Sequence, residues 1–243
     1  MIQIDINSDV GEGVGNEALL MRYLSSCNIA CGGHAGDSET IEKVIGLAVK
    51  YHVKIGAHPS YPDRANFGRK VLEIDASELK RSLKDQILRV SAFAKLQQTN
   101  LHHIKPHGAL YNKAAADAIT AKLIIETIEE IDDSLSLYVP YNSVISALAK
   151  GRLQTVVEGF ADRNYNDDYS LVSRSKKEAL LTDPEAIWNH ILPMITQGKL
   201  RTITGKELPF EVDTLCVHGD TAKAIEIVKH IYHECKRTEI SIV

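Results

Sequence analysis

Seven short runs of β-type residues, each followed by a stretch with helical periodicity, constrain this chain more than any other feature. The runs are IQIDIN (2–7), NIAC (28–31), VKIGA (53–57), LHHIK (101–105), LSLYV (135–139), TVVE (155–158) and TLCV (214–217). Between them, residues 38–51, 77–98, 115–131, 142–149, 184–196 and 220–236 carry apolar side chains at three- and four-residue spacing, which predicts amphipathic helices. In the last of these, Ala224, Ile225, Val228 and Ile231 fall on one side. Asp37–Ser38 and Asp183–Pro184 read as helix starts, each with an N-cap type residue and the second with proline at the first helical position. Such alternation builds a parallel sheet covered by helices. At roughly 33 residues per strand–helix unit, the 243 residues accommodate a sevenfold arrangement. The sheet either closes into a (β/α) barrel or stays open and doubly wound, and the pattern favours closure. No linker, charge block or low-complexity tract interrupts residues 1–243, so one domain is expected.

Polar residues collect where strands end. Strand two leads into GGHAGD, strand three into HPSYPD, strand four into PHGALYN, strand six into GFADR and strand seven into HGD. Four histidines, His34, His58, His107 and His218, therefore sit between a strand and the next helix. In parallel α/β architectures these positions share the carboxyl-end rim, where active sites form. The glycines around His34 let backbone come close to a ligand while His34 and Asp37 face the site; Asp37 also reads as the cap of the following helix.

Strand one adds acidity. Asp5, Asn7 and Asp9 alternate at period two, so an extended backbone points all three to one side, and Glu12 follows at once. Burying such a row requires positive or hydrogen-bonding partners. Imidazole plus carboxylate is the usual ligand set for catalytic zinc, manganese or nickel, and a carboxylate there would serve as general base toward an amide or ester carbonyl. Asp9, His34, His58 and His107 are the candidate ligands of a divalent metal of unspecified identity.

Other classes are disfavoured. A net charge of −4 gives no electrostatic reason to expect nucleic acid or an anionic membrane. No run approaches the length of a membrane span, and the start MIQIDINSDVGE lacks the features of a secretory signal. Cys27, Cys31, Cys216 and Cys235 have neither disulfide-framework nor zinc-ribbon spacing, so buried thiols and a cytoplasmic location are expected. GEGVGN departs from a dinucleotide fingerprint at Asn16, and TGKE (204–207) is not a P-loop. Trp188 lies in an amphipathic stretch and reads as packing.

The ordered set DINSDVGE, NIACGGHAGD, IGAHPSYPD, FGRK, KPHGALYN, EGFADR and CVHGD resembles the LamB/YcsF family over nearly the whole chain. Members of that family form the A subunit of a bacterial ATP-dependent 5-oxoprolinase. The resemblance implies a single (β/α)7-type barrel like the glycoside hydrolase/deacetylase fold. It also implies opening of the lactam of 5-oxo-L-proline to L-glutamate, coupled to ATP hydrolysis. With no nucleotide motif in the chain, ATP would be bound wholly or partly by partner subunits B and C. The sequence departs from the family at SLVSRSKKEALL, where Ser173 stands at a proline position while Arg174 is kept, and mildly at NFGRK.

The site residues follow from that resemblance. Asp9 or Glu12 would be the general base, with His107 or His58 as acid or electrostatic stabiliser and Lys105 facing an oxyanion or phosphoryl oxygen. The substrate is a small anion, so Arg64, Lys105, Arg163 and Arg174 are candidate anchors. Asn7, Asn28, His34, Asp63, Tyr111, Asn112, Glu158, Asp162, His218 and Asp220 complete the expected binding set, with Glu158 and Asp162 alternatively pairing Arg163. Two other functions are compatible with the same residues: a stand-alone metal-dependent deacetylase or amidohydrolase, and a non-catalytic subunit that binds substrate for partner enzymes.

Overall fold

The computed structural model describes residues 2–243. Its strands are β1 (Gln3–Val10), β2 (Ser26–Ala30), β3 (Lys54–His58), β4 (His103–Ile104), β5 (Ser136–Pro140), β6 (Thr155–Phe160), β7 (Lys199–Arg201), β8 (Glu207–Pro209), β9 (Thr214–Cys216) and β10 (Ser241–Ile242). Its helices are α1 (Glu17–Leu20), α2 (Ser38–Tyr51), α3 (Ala76–Leu96), α4 (Gly108–Ala116), α5 (Ala118–Glu129), α6 (Val144–Ala149), α7 (Pro184–Gln197) and α8 (Ala224–Arg237). Strands β1 to β6 and then β9 pair in parallel in that order, and β9 returns to β1 with Asp5 opposite Thr214 and Asn7 opposite Cys216. The sheet is thus a closed seven-stranded (β/α)7-type barrel. No helix is long and apolar enough to cross a membrane among the described residues.

All seven expected strands form the barrel, and helix 38–51 matches α2. Asp37 and Asp183 cap α2 and α7, accepting from Thr40 N and Ala186 N. Three features differ from expectation. The helix expected over 115–131 is two helices, because Asp117 leaves the helical conformation and caps α5 through Thr120 N. An antiparallel hairpin, β7–β8, follows α7, and β10 adds beside β1.

The barrel is polar inside and apolar outside. Outward residues such as Ile6, Val10, Ile29, Ile55, Ile104, Val139 and Leu215 are buried against the helix layer, with Val44, Ile87, Ile124, Trp188 and Val228 opposite them. Inward positions carry Asp5, Asn7, Asp9, Asn28, His103, Lys105 and Glu158, all buried. Each finds partners. Asp5 accepts from Ser25, Ser26 and Thr214 hydroxyls. His103 Nε2 donates to Asn28 Oδ1 at 2.8 Å, and its ring stacks on Tyr138 at 3.9 Å.

Gly56, opposite His103 in register, leaves the space that this imidazole fills. Gly56→Ala pushes His103 off Asn28 and costs about 2 kcal/mol, within the usual range for overpacking. Thermal denaturation should show a melting temperature lower by about 4–8 °C; an unchanged melting temperature contradicts this account of the interior.

Candidate active site

The carboxyl ends of the strands open into a cavity of about 710 Å³. Asp9, Glu12, His58, Lys105, His107, Tyr111, Asn112, Glu158, Arg163, Arg174, His218 and Asp220 line it. Residues from β1, β3, β4, β6 and β9 and the loops behind them therefore meet at one mouth. His34 lies behind the wall against Glu12, Asn7 and Asn28 lie below the floor, and Asp162 sits under His218.

Two residues expected to bind substrate are elsewhere. Asp63 holds its own turn by accepting from Asn66, and the exposed Arg64 donates to the carbonyls of Gly32 and Gly36. Asp37 is exposed and acts as a helix cap only. Conversely, Arg69, Cys216, Thr221 and an aromatic arm of Tyr141, Tyr169 and Phe210 belong to the site or its supports, although none was expected there. Arg69 lay within the FGRK stretch. It donates to Asp220 at 2.7 Å and so joins the β3–α3 and β9–α8 loops across the mouth.

Lys105 is the electrostatic centre. Its Nζ lies 2.9 Å from Asp9 Oδ1, 2.8 Å from Glu158 Oε1 and 3.1 Å from Cys216 Sγ. Burial alone would lower its pKa, but Asp9, Cys216 and Glu158 raise it well above the ordinary lysine value. Its three N–H donors are thereby committed within the protein, which leaves none for a substrate oxyanion. Burial would raise the Asp9 pKa, yet His58 and Lys105 hold it well below the ordinary value. Asp9 Oδ1 accepts from Asn28 Nδ2 as well, whereas Oδ2 faces His58 Nε2 at 3.4 Å. Arg163 is likewise occupied in part, donating to Val172 O at 2.7 Å.

Glu12 stands between Gly11 and Gly13, whose positive φ values of 73° and 87° turn the chain sharply beyond β1. The turn aims its carboxylate at three imidazoles: Oε1 is 2.8 Å from His34 Nε2, 3.5 Å from His107 Nδ1 and 4.0 Å from His58 Nε2. Burial and Asp9 raise the Glu12 pKa. Burial lowers those of His34, to about 2, and His107, so both rings are neutral.

Hydrogen bonds fix the tautomers. His58 Nδ1 donates to Lys105 O at 2.7 Å and His107 Nε2 to Phe67 O at 2.9 Å, because a carbonyl can only accept. The remaining nitrogens, His58 Nε2 and His107 Nδ1, are 3.0 Å apart. His107 Nδ1 is therefore a lone pair, and with His58 Nε2 this close the two nitrogens need a proton or a metal cation between them. A backbone carbonyl behind each imidazole is the usual support of a metal-binding histidine. One donor atom from each of Glu12, His34, His58 and His107 falls within 4.8 Å of the other three, so this cluster fits a metal ion. Asp9, expected among the ligands, belongs instead to a second cluster with Cys216 and His218, and there the Lys105 ammonium already supplies the positive charge.

Lys105→Met leaves buried carboxylates without their cation and should cost about 3–5 kcal/mol near neutral pH. Without Lys105, Asp9 is held less firmly in its charged form, and its folded pKa rises. Stability lost at high pH is then regained as pH falls and the carboxyl protonates. Melting temperatures of the variant and the parent should therefore converge between pH values of about 8 and 4; a pH-independent gap contradicts the assignment.

A sequence model of the LamB/YcsF family matches residues 4–243. A relative from Shouchella clausii, named as the A subunit of 5-oxoprolinase, is 41% identical over 248 residues, covering 100% of this chain and 98% of that protein. The crystal structure of a lactam utilization protein from Thermus thermophilus superposes with a TM-score of 0.93 at 33% identity, covering 99% of both chains. A family 4 carbohydrate esterase from Streptomyces lividans shares the fold, with a TM-score of 0.53 at 8% identity over 99% of this chain and 91% of that one.

Proposed function

This chain belongs to the LamB/YcsF family, and from that membership we propose that it is the A subunit of an ATP-dependent 5-oxoprolinase, opening the lactam of 5-oxo-L-proline to L-glutamate with partner subunits B and C. The observation that carries the proposal is full-length similarity to proteins named as the A subunit of 5-oxoprolinase, joined to a cavity that gathers carboxylates, imidazoles and cations. The sequence has no phosphate-binding glycine loop, which supports ATP binding by the partners. A cytoplasmic setting suits this chemistry and the four free, buried thiols.

An unstrained lactam resists water, so the site must activate the nucleophile and protect the departing nitrogen. Of the two candidate bases, Glu12 is turned into the histidine cluster, while Asp9 keeps Oδ2 free of strong donors. Asp9 takes the proton of the attacking water through that oxygen, and Lys105 and Asn28 fix its plane through Oδ1. Arg174 on the cavity wall is the anchor for the substrate carboxylate. Glu12, His34, His58 and His107 would hold a divalent ion, which would supply Lewis acidity toward the amide oxygen.

The histidine cluster also favours a second reading, a metal-dependent amidohydrolase working alone. Glutamate formation and ATP hydrolysis, measured together on the chain with and without its partner subunits, separate the two. We expect lactam-dependent activity only in the assembled complex, and Asp9→Asn should lower kcat about 10²–10⁴-fold. Amide hydrolysis by the isolated chain without ATP would favour the second reading, and full activity of Asp9→Asn would remove Asp9 as base. Elemental analysis should find about one divalent ion per chain. That ion should be lost in a His58→Ala/His107→Ala double variant and kept in Asp9→Asn.

A further inference from the structure

The histidine after β9 is held differently from the other three at the rim. His218 Nδ1 donates to Asp162, 2.8 Å from Oδ1 and 3.1 Å from Oδ2. The same carboxylate accepts from His218 N and from the Thr221 hydroxyl, so three donors of one loop converge on it. Asp162 is fully buried, and the His218 ring lies parallel to Phe160 with 5.3 Å between centroids and 12° between planes. The ring thus has one orientation. Nε2, opposite the bonded Nδ1, makes no hydrogen bond among the described residues, and His218 lines the cavity.

Amide cleavage expels nitrogen only if it is protonated as the C–N bond breaks. Most other candidate donors at this mouth are committed. Lys105 has spent its N–H groups, and His58 Nε2 and His107 Nδ1 face each other at 3.0 Å. We propose that His218, oriented by Asp162 and Thr221, is the proton donor to the departing lactam nitrogen. The C–N electron pair moves to nitrogen, which takes the Nε2 proton; the imidazole is left neutral and regains its proton from water. The hydroxyl of the attacking water stays on the carbonyl carbon, and its proton goes to Asp9. An aspartate behind an imidazole, holding its tautomer and stabilising the imidazolium, is the arrangement by which acyl-transfer enzymes donate protons to leaving amines.

The surrounding charges support this role. Burial by itself would lower the His218 pKa, but Asp162, with Asp9 of β1 beyond it, raises it above the ordinary value of 6.5 despite Lys105 just after β4. Cys216 of β9 is held as a neutral thiol by burial. Asp220 of the same loop is paired with Arg69.

The proposal rests on the lactam-opening function, and the test separates the two. In the assembled complex, His218→Gln should lower kcat for glutamate formation about 10²–10⁴-fold with little change in KM. Added imidazole should restore part of the activity of His218→Ala, which no structural role would allow. Asp162→Asn removes the charge that stabilises the imidazolium, so the basic limb of its kcat profile should move to lower pH. Histidine NMR titration of the wild-type chain should place His218 above 6.5, and the signal should fall in Asp162→Asn. Wild-type kcat and pH profile in His218→Gln, or a wild-type His218 that titrates below the ordinary value, would overturn the proposal alone. A wild-type complex with no lactam turnover overturns it together with the function.

Discussion

Lys105 holds the site together from two ends of one residue. Its ammonium lies between Asp9 and Glu158 inside the barrel, and its backbone carbonyl takes the Nδ1 proton of His58. The first contact keeps Asp9 charged and both buried carboxylates in place. The second decides which nitrogen of His58 faces the cavity. A buried ion pair of this kind contributes little net stability, since desolvation offsets most of the attraction. What the residue contributes is orientation: Asp9 and Asn28 are positioned from its side chain, and His58 and, through it, His107 from its carbonyl. An arginine in that place would present a flat fork where three acceptors converge on a point.

The hydrogen-bonded column inside the barrel extends this logic. Barrels of this class usually fill their interiors with layers of branched apolar side chains. Here, Asp5, Asn7, Asn28, His103 and Thr214 link strand to strand by side-chain hydrogen bonds, and the apolar core is displaced to the space between strands and helices. Each buried donor or acceptor left without its partner is costly. The column is therefore specific in a way that an oily interior is not, and it gives the floor of the cavity fixed positions for its charges.

Much of this was legible in the sequence because it depends on periodicities that a linear string preserves. Alternation of strands and helices gave a parallel sheet and favoured its closure, the period-two row Asp5–Asn7–Asp9 put polar groups on one side of β1, and His34, His58, His107 and His218 stood at the ends of four barrel strands. What stayed hidden depends on backbone direction or on contacts far apart in sequence. The apolar spacing of 115–131 runs across the α4–α5 break, and only the geometry of Asp117 reveals it. Glu12 reaches all three imidazoles because of two left-handed glycines, whose conformation composition does not disclose. Arg64 looked like an anion anchor by charge alone, yet it ties down the loop that carries His34.

The closure of β1 on β9 also governs how the chain comes to be folded. Strand β1 is made before the other barrel strands, but its pairing with residues 214–216, and with β10 at 241–242, waits for segments far along the chain. Contacts so distant in sequence make folding slow. On the ribosome the six earlier strands can form only an open, twisted sheet whose polar inner face is wet. Water is expelled from around Lys105, and its carboxylate partners lose their solvation, when β9 docks. The electrostatics of the site are consequently switched on only when the barrel closes.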